Sequence, residues 1–138
     1  MNQNTVAPFV TNLYGTGIDI QSINELEASI DKYGLKFLNK IFTSEEIAYC
    51  SNKHKPSQHF AARFSAKEAF LKALGTGIGS GFCLKDVVVL NKDSGEPYLT
   101  YCNQVNRVVI EKKLKAFVSL SHSLEYSIAQ VILLRDLT

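Results

Sequence analysis

Apolar and polar positions along this chain change period near its middle, and the change divides it into a helical half and a strand-rich half. The run LYGTGIDI, residues 13–20, reads as a short strand whose glycines permit tight packing or close approach by a ligand, and Asp19 stands near its end. Ser22 is placed to cap a helix, with Glu25 three residues on to complete a capping box. TSEEIAYC, residues 43–50, repeats the signal, with Thr43 or Ser44 as the cap of a short helix. Pro56 opens a third helix that Gly75 stops. On this helix Phe60, Phe64, Leu71 and Leu74 form one apolar stripe, and Ala62, Ala66, Ala69 and Ala73 form a second of small residues. Between them lies a narrow sector of Ala61, Ser65, Glu68 and Lys72. A helix apolar or small around most of its circumference belongs largely inside a protein.

After the loop Gly75–Gly81 the pattern becomes β-rich. LKDVVVL is β-branched and apolar, NKDSGEP is a turn and YLTYC is its hairpin partner. NQVNRVVIEKKL carries a helical period, AFVSLSH alternates, and YSIAQVILL is rich in strand formers. The order βαααββαββ predicts an α+β fold. No repeat or low-complexity segment interrupts it, and residues 1–138 are expected to form one domain.

Composition narrows the function. With 138 residues, 46% of them apolar, the chain can bury one modest core. Its net charge of +2 lacks the concentrated basic face of a nucleic-acid binder. Three widely separated cysteines form neither a disulfide framework nor a zinc pattern, in keeping with reducing cytosol. MNQNTVAPFV lacks the features of a signal peptide, and no apolar run approaches the length of a membrane span. A cytoplasmic protein is expected.

Several residues carry candidate chemistry. The glycine loop has no G-K-[S/T] and follows its helix instead of opening one, so it reads as a helix stop that can still pass close to a ligand. Glu68 and Lys72, four apart, form either a surface pair or a buried one, which would need a further partner such as a bound cation with a phosphate. Lys67 falls within the Phe/Leu stripe, where its stem packs and its head either snorkels outward or meets a phosphate. Arg63 has the forked donors that match phosphate oxygens, unless it lies on a solvated helix edge. Asp19 and Glu68, two carboxylates from separate elements with no His or Cys beside them, suit Mg²⁺ or else are independent surface acids. His122 ends an alternating strand, and His54 and His59 lie in a polar connection where they read as structural or solvated. No local Ser/His/Asp or Cys/His signature supports covalent catalysis.

GIDI near the amino end, RFSAKEAFLKALGTGIG at mid-chain and SLSH near the carboxyl end together resemble the bacterial holo-acyl-carrier-protein synthase family of 4′-phosphopantetheinyl transferases, in order and from about Tyr14 to Leu134. The resemblance implies a trimeric α+β enzyme, with antiparallel strands packed against helices. Its implied reaction moves phosphopantetheine from coenzyme A to a serine of apo-acyl carrier protein and releases adenosine 3′,5′-bisphosphate. It also implies that Asp19 and Glu68 hold Mg²⁺, that Glu68 and Lys72 are catalytic, and that Arg63, Lys72 and His122 contact coenzyme A. A metal-bound water and Glu68 are both candidate acceptors of the serine proton. A carrier-protein or nucleotide-binding trimer without turnover is the competing reading, and a small nucleic-acid-binding domain is a third. The chain departs from the family on the helix after GIDI, which reads SINELEASIDKY, with Glu25, Glu27 and Asp31 against Lys32. Either Lys36, Lys40, Lys53 and Lys55 supply a displaced basic face for the carrier protein, or docking is more apolar.

Overall fold

The computed structural model describes residues 12–75 and 81–137. Their order is β1 (Leu13–Ser22), α1 (Ile23–Ile41), α2 (Ser44–Ser51), α3 (Pro56–Leu74), β2 (Val87–Asn91), β3 (Pro97–Tyr101), α4 (Asn103–Glu111), β4 (Leu114–His122) and β5 (Tyr126–Arg135). This is the expected α+β succession. A short 3-10 turn, Leu84–Asp86, takes the first residues of the segment expected to be wholly strand. Lys113, in the left-handed region at φ 54°, stops α4 before the expected Leu114.

The local start and stop signals act where the sequence places them. Ser22 Oγ accepts from Glu25 N, one half of the box expected there, whereas Thr43 and Glu46 make a complete reciprocal capping box, so Thr43 and not Ser44 is the cap of α2. Pro56 begins α3, and Gly75, at φ 87°, ends it. The remainder of the glycine loop up to Ser80 lies outside the described residues. Gly34, at φ 58° and ψ −140°, breaks α1 into two segments.

Two antiparallel sheets form, β1-β5-β4 and the hairpin β2-β3. In the larger one β5 is central, with Asp19 opposite Ala129 and Ala129 opposite Leu120. Helix α3 lies against its inner face. Ala66, Ala69, Phe70 and Ala73 pack there with Ala129, Val131 and Leu133, and with Val87 and Val89 of the hairpin. A second cluster, including Leu26, Leu38, Phe42 and Phe60, joins α1 and α2 to the first turns of α3. Helix α3 is therefore the central strut, as its apolar circumference requires. The outer face of the sheet stays open, and Ile18 and Ile20 are 58% and 59% exposed.

Candidate active site

The site begins with two glycines. A Cβ on Gly15 would lie 2.0 Å from the Ala73 carbonyl oxygen, and one on Gly17 would lie 1.9 Å from that of Ala69. Only glycine allows β1 to touch the backbone of α3, and small alanines on the helix complete the approach. Two residues of strand advance about 6.6 Å and one four-residue helical step about 6 Å, so strand and helix keep pace in opposite directions. Asp19, the next residue on this face, is thereby carried one turn past Ala69 toward the start of α3, the level of Ser65 and Glu68.

Around Asp19 the charges converge. Lys72 Nζ donates to Asp19 Oδ1 at 3.1 Å and to the Ile18 carbonyl at 3.0 Å, while Gln21 Nε2 donates to Asp19 Oδ2 at 2.9 Å. Glu68 is only 5% exposed. Its carboxyl is held above the usual carboxylate range because burial removes water and the Asp19 charge opposes its own, with Lys72 offsetting part of this. Glu68 is thus not a surface acid. Among the described residues the ion-pair partner of Lys72 is Asp19, across 53 residues, in place of the local pair with Glu68 that the spacing offers.

A buried carboxylate whose ionisation the neighbouring Asp19 charge opposes forms, with Asp19, a donor set that a cation would relieve. No group of three or more His, Cys, Asp or Glu side chains able to hold a metal exists among the described residues. A cation here would therefore take two protein oxygens and complete its shell with water and ligand oxygens. That is the habit of Mg²⁺ in phosphate chemistry, and the residues fit it.

A positive cluster lies toward the other end of α3. His59 is held below the usual histidine range by burial and then by Arg63, Lys53 and His122, whose charges all oppose its protonation. Arg63 and His122, far apart in sequence, are thereby in one electrostatic neighbourhood. Arg63 is not the solvated edge that was one expectation: it is 3% exposed, donates from Nη2 to Asn91 Oδ1 at 2.6 Å and stacks 4.1 Å above the Tyr49 ring. It lines a cavity of about 140 Å³ with Glu45, Tyr49, Asn91 and Tyr98. Its Nε is the one buried side-chain polar atom without a hydrogen-bond partner among the described residues.

The sequence model of the 4′-phosphopantetheinyl transferase superfamily matches residues 15–131. The chain belongs to that superfamily. The holo-[acyl-carrier-protein] synthase of Syntrophus aciditrophicus is 43% identical over 88% of this chain and 95% of its own. That of Protochlamydia amoebophila is 43% identical over 83% and 93%. Among solved structures, the synthase of Neisseria meningitidis superposes with a TM-score of 0.81 at 30% identity, over 88% of this chain and 98% of the other. The Bacillus anthracis synthase in complex with CoA (3′,5′-ADP) gives 0.74 at 34%, over 90% and 98%.

One charge of the mid-chain motif has a different place from that expected. Lys67 neither snorkels nor faces a phosphate; it is fully buried. Its ammonium donates to Glu46 Oε1 at 2.8 Å, to the Leu84 carbonyl at 3.2 Å and to the Val87 carbonyl, so all three protons are used. Glu46 also accepts from Thr43 N and Val89 N. This clamp ties α2, α3 and β2 together, and it outcompetes snorkelling because a carboxylate and two carbonyls already wait inside. Burial draws the Lys67 ammonium downward, and Glu46 opposes the shift. Sequence reasoning missed Glu46, Gln21, Tyr49, Asn91 and His59; the capping signal at Thr43–Glu46 gave no hint that the same carboxylate also reaches α3.

Proposed function

We propose that the chain transfers the 4′-phosphopantetheine group from coenzyme A to a serine hydroxyl of an apo-acyl carrier protein, in a Mg²⁺-dependent reaction that leaves adenosine 3′,5′-bisphosphate. The convergence of Asp19, Glu68 and Lys72 between β1 and α3 carries this reading. Asp19 and Glu68 would hold the cation, which when bound offsets charge on the pyrophosphate. Lys72, half exposed above Asp19, supplies a compact positive charge on the leaving side. Arg63 and Lys53 would supply positive charge for the donor's remaining phosphate, with the imidazoles of His122 and His59 beside them as hydrogen-bonding groups. The serine oxygen forms a new ester bond to the pantetheine phosphorus as the bond to the departing bisphosphate breaks. Glu68, as a carboxylate, and a water on the cation are the two candidate acceptors for the serine proton.

The reading extends to one catalytic domain spanning 1–138, to a homotrimer and to the cytoplasm. Support for association comes from the outer face of the sheet, where Ile18, Ile20, Phe117 and Tyr126 are all exposed, since large apolar side chains gathered on one open face mark an association surface. No helix among the described residues is long and apolar enough to cross a membrane. Incubation with coenzyme A, Mg²⁺ and apo-carrier protein tests the activity by the mass of the carrier. Gain of one phosphopantetheine group is expected; a folded sample that binds the carrier without modifying it would favour the non-catalytic binder. Light scattering across concentrations tests the trimer, which a persistent monomer would refute.

A further inference from the structure

Both oxygens of Asp19 are already engaged within the chain. Oδ2 is taken by Gln21, a neighbour on the same strand, and Oδ1 by Lys72. The two partners differ in mobility. Asp19 is nearly enclosed, with 11% of its side chain exposed, and its strand is pressed backbone to backbone on α3; the Lys72 side chain is 52% exposed and hangs at the water side on four single bonds. Among the described residues the ammonium has one other hydrogen-bond anchor, the Ile18 carbonyl. Asp19 is thus fixed and Lys72 is exchangeable.

We propose that Lys72 is the resident counter-ion of Asp19 in the donor-free protein, that it competes with the divalent cation for that carboxylate, and that an incoming polyphosphate draws it away. This rests on the reading of Asp19 and Glu68 as cation ligands. A cation arriving alone must dislodge the ammonium from a 3.1 Å ion pair and then endure its repulsion nearby. A polyphosphate gives Lys72 a new anionic partner within reach of its flexible stem and removes that penalty. Cation and donor therefore bind cooperatively through this lysine, in addition to any direct contact between them, and the coupling is reciprocal. The same residue that assists the leaving phosphate keeps the carboxylate pair from holding metal tightly until the donor arrives.

The test is the binding of Mn²⁺ alone, read as free Mn²⁺ by electron paramagnetic resonance, to the full chain and its Lys72→Met and Lys72→Arg variants, with and without coenzyme A. Without donor, Lys72→Met is expected to bind Mn²⁺ at least about threefold more tightly than wild type, and Lys72→Arg to stay near wild type. The tightening produced by coenzyme A is expected to be smaller in Lys72→Met than in wild type. Equal or weaker Mn²⁺ binding by donor-free Lys72→Met overturns the proposal. Asp19→Asn and Glu68→Gln separate the two readings. If both bind Mn²⁺ as wild type does, the cation site itself is refuted and the proposal falls with it; if they lose Mn²⁺ while Lys72→Met gains nothing, only the proposal falls.

Discussion

Replacing Gly17 by alanine perturbs the contact that brings Asp19 to the level of Glu68. The new Cβ would stand 1.9 Å from Ala69 O and 2.7 Å from Ala73 N, where ordinary contact begins at 3.4 Å. Both obstacles are backbone, so no side chain can turn aside, and about 1.5 Å of relief must come from moving strand or helix as a body. Strand β1 is an edge of its sheet, so it gives way first and carries Asp19, two residues on, outward from α3. Overpacking of this kind costs about 1–3 kcal/mol, or a fall in Tm of about 3–12 °C for a chain of this size. Misplacing a reacting group by about 1 Å costs on the order of 10²-fold in rate. Gly17→Ala is therefore expected to remain folded and to lose about 10²-fold in carrier modification, assayed by mass against time at saturating Mg²⁺. Gly15→Ala meets Ala73 at 2.0 Å but lies four residues from Asp19, with a register irregularity beside it. It should lose similar stability and less activity. Wild-type Tm and rate in Gly17→Ala would refute the claim that this contact sets the site.

Three further outcomes rest on the same packing and charges. Lys67→Met leaves the buried Glu46 carboxylate without its ammonium and should cost about 3–5 kcal/mol in denaturant melts, whereas Lys67→Met with Glu46→Leu should recover part of that; equal losses in the two variants would contradict a buried pair. Because the Glu68 carboxyl is raised on folding, the folded state holds more protons than the unfolded one from the ordinary carboxylate range up to the raised value, and stability falls as pH rises through that window. Glu68→Gln should therefore melt higher than wild type in metal-free buffer at neutral pH and lose this advantage near pH 4, a difference thermal melts at both pH values would expose. Carrier-protein affinity should fall less steeply with salt than for relatives with a basic first helix, since the exposed acids Glu25, Glu27 and Asp31 precede the cleft formed by Tyr33, Lys36, Phe37 and Lys40; an equal or steeper loss would contradict it.

Local chemistry made much of this fold legible. Pro56, Gly75 and the cap signal at Thr43 or Ser44 mark their helix ends because a cap acts within four residues. The alternation of AFVSLSH and the β-branched run after it likewise produced two neighbouring strands. Contacts across long separations were not readable. Lys67 to Glu46 spans 21 residues and Arg63 to Asn91 spans 28, and nothing in the spacing of any one helix encodes them. The nearness of Asp19 to Glu68 was implied by the resemblance to the synthases, while the physical reason for it lay in Gly15 and Gly17. Sequence offered those glycines as places for tight packing, without saying that a helix backbone would fill the space.

A crystal of the protein with Mg²⁺ and coenzyme A tests the two-carboxylate cation site most directly. The expected result has one Asp19 oxygen and one Glu68 oxygen each about 2.1 Å from a single ion, with the Lys72 ammonium shifted from Asp19 onto a phosphate oxygen. An ion that meets only one of these carboxylates, or neither, would contradict the account.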